Sequence, residues 1–317
     1  MIVYLLRRLV QAIVVVLLVS VIVFVLLHLL PGGPARAILG QTATQAQVAA
    51  FNQAQGYDRP IPVQYLSYLG QLLHGQLGYS YQRNENVGTL LAERIPKTLL
   101  LTVAGTIVAL VIAIPLGLLQ AVRRNRPVDY VLTAVTFVLY AMPLFFLGLL
   151  LIIGFSQDLR WFPSQAPQSD SLLAVLSQPA ALVLPVATLA LVTIAAFSRY
   201  VRSAVLDNLS EDYVRTARAK GALEGRVLFR HVTRNALVPV VTLLGVYIPY
   251  LFSGSLVVEA IFNYPGMGLL FWNAAQTRDY PVLLGVALVV SVATVVGSLL
   301  VDIAYVFLDP RVRYVSA

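Results

Sequence analysis

Three ionisable side chains in this chain of 317 residues lie against long apolar runs, where a proton or ion relay would need them: His28, Glu259 and Asp302. They are scattered, and each reads as an interfacial or packing residue rather than as part of a relay. Metal chemistry has no better footing. There is no cysteine, which excludes disulfide frameworks, thiolate metal sites, iron–sulfur clusters and cysteine nucleophiles. His28, His74 and His231 have no spacing that would gather them around a metal. Two lysines are present. Lys97 follows Ile95-Pro96 and Lys220 precedes Gly221, so neither belongs to a Gly-x-x-x-x-Gly-Lys-Ser/Thr loop that cradles nucleotide phosphates. Paired histidines, an Asp pair within one apolar run and a Gly-x-Ser-x-Gly elbow are also missing. The chain is not read as an enzyme, and neither a catalytic residue nor a metal site is expected.

The most organised polar chemistry lies in Ser210-Glu211-Asp212-Tyr213-Val214-Arg215-Thr216-Ala217-Arg218-Ala219-Lys220-Gly221. This stretch predicts a short helix with both ends marked. Ser210 is the expected N-cap. Glu211 and Asp212 sit where the helix dipole favours anions, Arg218 and Lys220 where it favours cations, and Gly221 supplies a left-handed stop. At about 1.5 Å per residue the helix would be roughly 15 Å long. Its alanines would let it sit close against another surface, so it is shaped to enter a groove.

What must hold that helix is a membrane bundle. Hydrophobic residues make up 59% of the chain and charged residues 11%, against about 25% charged in soluble domains. The polar surface that would keep such a chain dissolved is missing, which excludes a cytosolic enzyme, and disorder fails on the same composition. A net charge of +8 does not point to nucleic acid, because the positive residues lie between apolar runs instead of on a nucleic-acid-binding module. Six runs are long enough to cross about 30 Å of hydrocarbon as helix: Leu9 to Leu30, Thr98 to Val122, Tyr130 to Phe155, Ala180 to Phe197, Ala236 to Val258 and Pro281 to Phe307. The run after Arg7 and Arg8 is too long for a secretory signal and reads as a retained anchor.

Loop charge sets the orientation. One side holds Arg7, Arg8, Arg123, Arg124, Arg126, Arg199, Arg202, Arg215, Arg218, Lys220, Arg226, Arg230, Arg234, Arg311 and Arg313; the opposite short loops hold Arg160 and Arg278. Both termini are therefore expected in the cytoplasm. The resulting division is an N-terminal segment with the first span (1–30), an extracytoplasmic region (31–97), a transmembrane core (98–308) with a cytoplasmic loop at 198–235, and a cytoplasmic tail (309–317). In the extracytoplasmic region Val63 to Leu73 is a short amphipathic piece, punctuated by Pro60, Pro62, Gly75 and Gly78. Pro115, Pro143, Pro185, Pro239 and Pro249 fall inside apolar runs, with Pro115 an expected kink.

Asp212 to Gly221, followed by Arg234-Asn235-Ala236-Leu237-Val238-Pro239, resembles the cytoplasmic signature of binding-protein-dependent ABC importer permeases, and more narrowly the dipeptide/oligopeptide/nickel (B-type) class. Arg215-Thr216-Ala217 stands where the generic motif has Glu-Ala-Ala. The opening Arg7-Arg8-Leu9 with Leu29-Leu30-Pro31-Gly32-Gly33-Pro34 is similar to the same class, as is Gly75-Gln76-Leu77-Gly78-Tyr79-Ser80, although Asp is more usual where Gly33 and Gln76 stand. So are the stretch Gly254 to Gly268 and Arg278-Asp279-Tyr280-Pro281. The resemblance covers almost the whole chain.

It implies an all-α membrane protein with six transmembrane helices and type I ABC importer permease architecture. It also implies a coupling helix carrying Asp212, Tyr213, Arg215, Thr216, Ala217, Arg218, Ala219, Lys220 and Gly221. The implied partners are a second homologous permease subunit, two ATP-binding subunits that bring ATP and Mg, and an extracytoplasmic substrate-binding protein, all in the inner membrane setting. The implied cargo is a dipeptide or oligopeptide. Nickel and glutathione importers of the same family and an ion-coupled secondary transporter are the alternatives. Tyr140, Pro143, Phe145 and Phe146 form an aromatic cluster around a helix-distorting proline, read either as lining a pathway or as facing lipid or packed, and Pro265-Gly266-Met267-Gly268 is an external turn read either as an aromatic anchor or as an outer gate.

Overall fold

The computed structural model describes residues 2–29, 33–40, 42–169, 171–253 and 256–308. The tail at 309–317, residues 30–32, the Gly254-Ser255 pair of the resemblance and the Arg8, Pro249 and Asp302 side chains lie outside the described part. The chain is helical almost throughout. Helices α1 (Ile2–Leu29), α2 (Gly33–Leu39), α3 (Gln45–Gln55) and α4 (Ile61–Leu73) are followed by a two-stranded hairpin, β1 (Tyr79–Ser80) and β2 (Glu85–Asn86), in which Tyr79 pairs with Asn86 and Ser80 with Glu85. Then come α5 (Val87–Val122), α6 (Pro127–Ala141), α7 (Leu144–Leu151) with π-helical turns at Ile152–Asp158, α8 (Leu172–Leu176) and α9 (Pro179–Leu209). The remainder is α10 (Asp212–Ala219), α11 (Glu224–Arg226), π-helical turns at Val227–Val232, α12 (Thr233–Ala236), α13 (Val238–Ser253), α14 (Leu256–Ile261), α15 (Met267–Thr277) and α16 (Tyr280–Leu308).

Among the described residues, five helical stretches are long and apolar enough to cross a membrane: Leu9–Leu26, Val87–Val122, Pro179–Leu209, Glu224–Gly245 and Tyr280–Leu299. A sixth arises if the pair Pro127–Ala141 and Leu144–Asp158 is one span, and that pair is bent by 107°. The bend falls at Met142-Pro143, where the expected third run was continuous. Pro143 has no amide hydrogen to extend the α6 ladder and disfavours helical backbone at Met142, whose ψ is 130°. By contrast α5 continues through Pro96 and Pro115 and starts at Val87 rather than Thr98. Val87, Leu90 and Leu91 recur at helical spacing and bury fully against Met267, Leu270 and Ala274 of α15 and Val282 and Val286 of α16, so packing extends the helix beyond the apolar run. The fifth expected run begins earlier too, because the π-helical turns join α11 to α12 without a break.

The chain forms two compact units. One comprises Met1–Thr98, Ile248–Leu256 and Pro265–Ala317; the other comprises Leu99–Tyr247 and Val257–Tyr264. In the first, α3 starts on a capping box, with the Gln47 amide donating to Thr44 Oγ1 at 3.3 Å and the Thr44 amide to Gln47 Oε1 at 2.9 Å, and it stops at Gly56 with φ 73°. The inner face of α4 lies on α1 through Tyr65, which shares a 2.9 Å hydrogen bond with Ser20, and through Tyr65 and Tyr68, whose rings contact Phe24 at 5.3 and 5.7 Å. Burial pushes the Tyr68 hydroxyl up to about 12, with Tyr65 and Tyr57 adding to it, so Tyr68 stays uncharged. In the second unit, Phe197, Val201 and Val205 of α9 form the centre of one core with Ala109 and Ala113 of α5 and Val227, Val232 and Ala236 from the segment leading into α13.

Candidate coupling and pathway sites

Helix α10 sits between α9 and the π-helical segment, and its ends follow from local chemistry. The expected N-cap is displaced by one residue. Ser210 has helical backbone (φ −87°, ψ −8°) and its hydroxyl donates to the Asp207 carbonyl at 2.7 Å, closing α9 instead of opening α10. Glu211 takes the extended N-cap position (φ −72°, ψ 150°) without a side-chain capping bond. The other end matches expectation. Gly221 has φ 77°, its amide donates to the Arg218 carbonyl at 2.9 Å, and the Ala222 amide donates to the Ala217 carbonyl at 3.1 Å. These are the two bonds of a Schellman motif, which needs a left-handed residue at its turn.

Tyr213, Val214 and Ala217 form the inner face of α10. Val214 is fully buried in the core shared with α9 and the π-helical turns, with Tyr213 and Ala217 packed beside it. Burying that one valine contributes roughly 1.5–3 kcal/mol. The Tyr213 hydroxyl donates to Asn208 Oδ1 at 2.7 Å, tying α10 back to the last turn of α9. Asp212, Arg215, Thr216, Arg218, Ala219 and Lys220 face outward and are exposed. Arg218 makes a two-pronged pair with Glu224, Nε to Oε1 at 2.8 Å and Nη2 to Oε2 at 3.1 Å, and this hydrogen bonding holds the Arg218 guanidinium above its ordinary value. Both partners are solvated, so the pair fixes the angle of the turn more than it adds stability. The outcome is a rigid helix, anchored on one face and presenting the other.

Sequence reasoning missed Glu224 and Asn208, which reach α10 across a turn and across a helix end, at spacings no periodicity marks. It also missed Leu223 and Phe229, exposed at 76% and 68% although apolar.

The pathway candidates divide. Tyr140, Phe145 and Phe146 are exposed, and Pro143 between them marks the 107° bend. Pro265, Gly266, Met267 and Gly268 are all buried: the Pro265 carbonyl accepts from Arg94 at 3.2 Å and the Met267 amide donates to Thr98 Oγ1 at 2.8 Å. Of the ionisable candidates, Glu259 is fully buried in α14, and both His28 ring nitrogens are engaged, by the Phe24 carbonyl and Gln64 Oε1, each at 2.8 Å. A buried ion pair not anticipated from the sequence joins α6 to α9. Asp129, 3% exposed, accepts from Arg202 Nε at 2.9 Å and Nη2 at 2.8 Å, and from the Asn125 amide at 3.1 Å.

Comparison with known proteins accounts for this arrangement. The model of the binding-protein-dependent transport system inner membrane component matches residues 113–314, and the model of the N-terminal part of such membrane components matches residues 1–102. The oligopeptide transport system permease protein AppB of Bacillus subtilis is 41% identical over 98% of this chain and 99% of its own. The glutathione transport system permease protein GsiC of Salmonella choleraesuis is 39% identical over the same shares. Among solved structures, a chain of the inward-facing MetNI methionine ABC transporter shares the fold, with a TM-score of 0.52 at 20% identity over 68% of this chain and 95% of that one. Matched in both its segments and along nearly its full length, the chain belongs to the family of binding-protein-dependent transport system inner membrane components, the multi-pass permease subunits of ABC importers.

Proposed function

We propose that the chain is the transmembrane subunit of an ATP-driven importer that moves peptides across the cytoplasmic membrane by alternating access. The observation that carries the mechanism is α10: a helix locked to the bundle by Val214 and the Tyr213–Asn208 bond, stopped at Gly221, and exposed along Asp212, Arg215, Thr216, Ala219 and Lys220. Such a helix seated in a groove of an ATP-binding subunit passes displacement to α9 and to the segment leading into α13, because one core clamps all three. The cargo reading rests on the oligopeptide permease relative. A second reading, glutathione, is favoured by a relative of nearly equal identity; glutathione is itself a short peptide.

In this reading the nucleotide chemistry, with ATP and Mg, belongs to two ATP-binding subunits. A second related permease completes the pathway, and an extracytoplasmic binding protein delivers cargo to the side bearing residues 31–97. The experiment is uptake into proteoliposomes holding the full complex, with labelled di- to pentapeptides and with glutathione, in the presence and absence of ATP. Uptake of peptides that requires ATP supports the proposal. Uptake driven by an imposed proton or sodium gradient without ATP would sink it. Orientation is read separately: the chain has no cysteine, so Ala219→Cys gives a single thiol that an impermeant reagent should reach only from the cytoplasmic side.

A further inference from the structure

Arg199 stands one helical turn before Arg202 in α9, yet the two arginines are used differently. Arg202 is consumed by Asp129. Arg199 lies with its guanidinium carbon 4.0 Å above the centre of the Tyr140 ring, and among the described residues it has no carboxylate partner and no hydrogen-bond partner.

The direction of that side chain matters. Tyr140 lies eleven residues beyond Asp129 in α6, about 16 Å along the axis, whereas Arg199 lies three residues before Arg202 in α9, about 4.5 Å. Side chains tilt toward the start of their own helix, so Arg199 leans back toward the apolar stretch Ala180–Phe197 and Tyr140 leans toward Asp129. They meet between the Asp129–Arg202 pair and the far end of α6. An arginine at the margin of a membrane helix ordinarily extends to the aqueous phase; Arg199 is exposed but lies over a ring of α6, which leaves its charge without a counter-ion beside an apolar stretch, where an ionised group marks a functional position.

The surroundings define the ligand. The guanidinium carbon lies over the Tyr140 ring and none of the N–H groups is taken by a carboxylate among the described residues, and a guanidinium grips a planar carboxylate with two parallel hydrogen bonds. Hydroxyls are at hand. Tyr247 is hydrogen-bonded with Thr193, and its ring is backed by Phe197 at 5.0 Å. Tyr140 and Tyr200 are about half exposed, at 50% and 52%. A positive, hydroxyl-fringed patch with its nearest acid already paired suits a mobile anion and repels an ammonium group.

We infer that Arg199, stacked on Tyr140, is a cargo-binding residue of the transport pathway that takes the C-terminal carboxylate of a peptide. This rests on the peptide reading above. It gives the pathway a handle that every free peptide carries whatever its side chains, which fits a subunit that leaves selection by side chain to another protein.

The test uses the complete transporter in proteoliposomes, with trialanine and trialanine amide as probes at saturating concentration, so that capture by the binding protein is not limiting. Turnover of the acid should fall about tenfold in Arg199→Gln, the loss expected for a charge-assisted hydrogen bond, while turnover of the amide stays as in the wild type. Arg199→Lys should recover part of the difference. Tyr140→Phe, which keeps the ring and removes one hydroxyl of the patch, should lower acid turnover less than Tyr140→Leu does, and neither should change amide turnover. If Arg199→Gln slows acid and amide alike, or neither, Arg199 serves the bundle or a neighbouring subunit and the inference is overturned. If the wild-type complex takes up neither probe nor any other peptide, the peptide reading itself fails and this inference falls with it.

Discussion

The Ser80 hydroxyl donates a hydrogen bond to the Asp279 carboxylate across 199 residues of sequence, and both groups are buried. Ser80 also accepts from the Arg83 amide at 3.0 Å. That bond thus pins the hairpin to the turn between α15 and α16. Both ends fall in stretches singled out in the sequence, Gly75–Ser80 and Arg278–Pro281, but nothing in the sequence pairs them.

Ser80→Ala should strand the Asp279 charge in a buried site. A loss of roughly 1.5–3 kcal/mol is expected, read as a lower unfolding temperature of the detergent-solubilised protein and faster proteolysis near the hairpin. Asp279→Asn should cost less, since an amide oxygen still accepts and no buried charge remains. Equal stability of Ser80→Ala and the wild type would show that the bond contributes nothing.

Asp129→Asn breaks the ion pair between α6 and α9. Removing one partner of a buried pair is costly; because the Arg202 side chain keeps 30% exposure, a loss of about 2–3 kcal/mol is expected, at or just below the low end of what fully buried pairs lose. Exchanging the two residues, Asp129→Arg with Arg202→Asp, should recover part of it. Chemical denaturation in detergent measures both.

Gly117 permits a close helix contact. A Cβ there would lie 2.6 Å from the Ser198 carbonyl oxygen and 2.7 Å from Val201 Cβ. Backbone cannot yield as a flexible side chain can, so Gly117→Ala should cost about 1–3 kcal/mol or more and lower the amount of assembled complex in membranes. At Gly154 a Cβ meets nothing within 4 Å, and Gly154→Ala should be silent in the same assay.

Gly221→Val tests coupling. A Cβ there would meet nothing within 4 Å, but φ is 77°, so the cost is chiefly backbone strain of about 1–2 kcal/mol. The end of α10 should unwind, leaving ATP hydrolysis that no longer drives uptake. Gly225→Val, where φ is negative and a Cβ also meets nothing, should stay coupled. Normal coupling in correctly inserted Gly221→Val would remove the turn from the mechanism.

Much of this architecture is legible in the residues because lipid leaves few choices: apolar runs of the right length become helices, and caps and glycines mark α10 to within a residue. The failures share a cause. Ser210 closes a helix that continues from α9, a fact about the preceding segment that the motif does not contain. Val87 to Lys97 looks like loop by charge and proline content, yet Val87, Leu90 and Leu91 are claimed by a core built from residues far downstream. Arg199 counted only as one more positive charge on the inner side, because the ring that holds it lies on another helix.

The break between α6 and α7 has a cost that lipid alone would not meet. At Met142-Pro143 the ladder stops, and carbonyls from the last turn of α6 lose their usual donors. Hydrocarbon offers nothing in exchange, so irregular backbone at that depth persists only beside protein or water. Wherever the elbow meets hydrocarbon it therefore demands hydration or a polar neighbour.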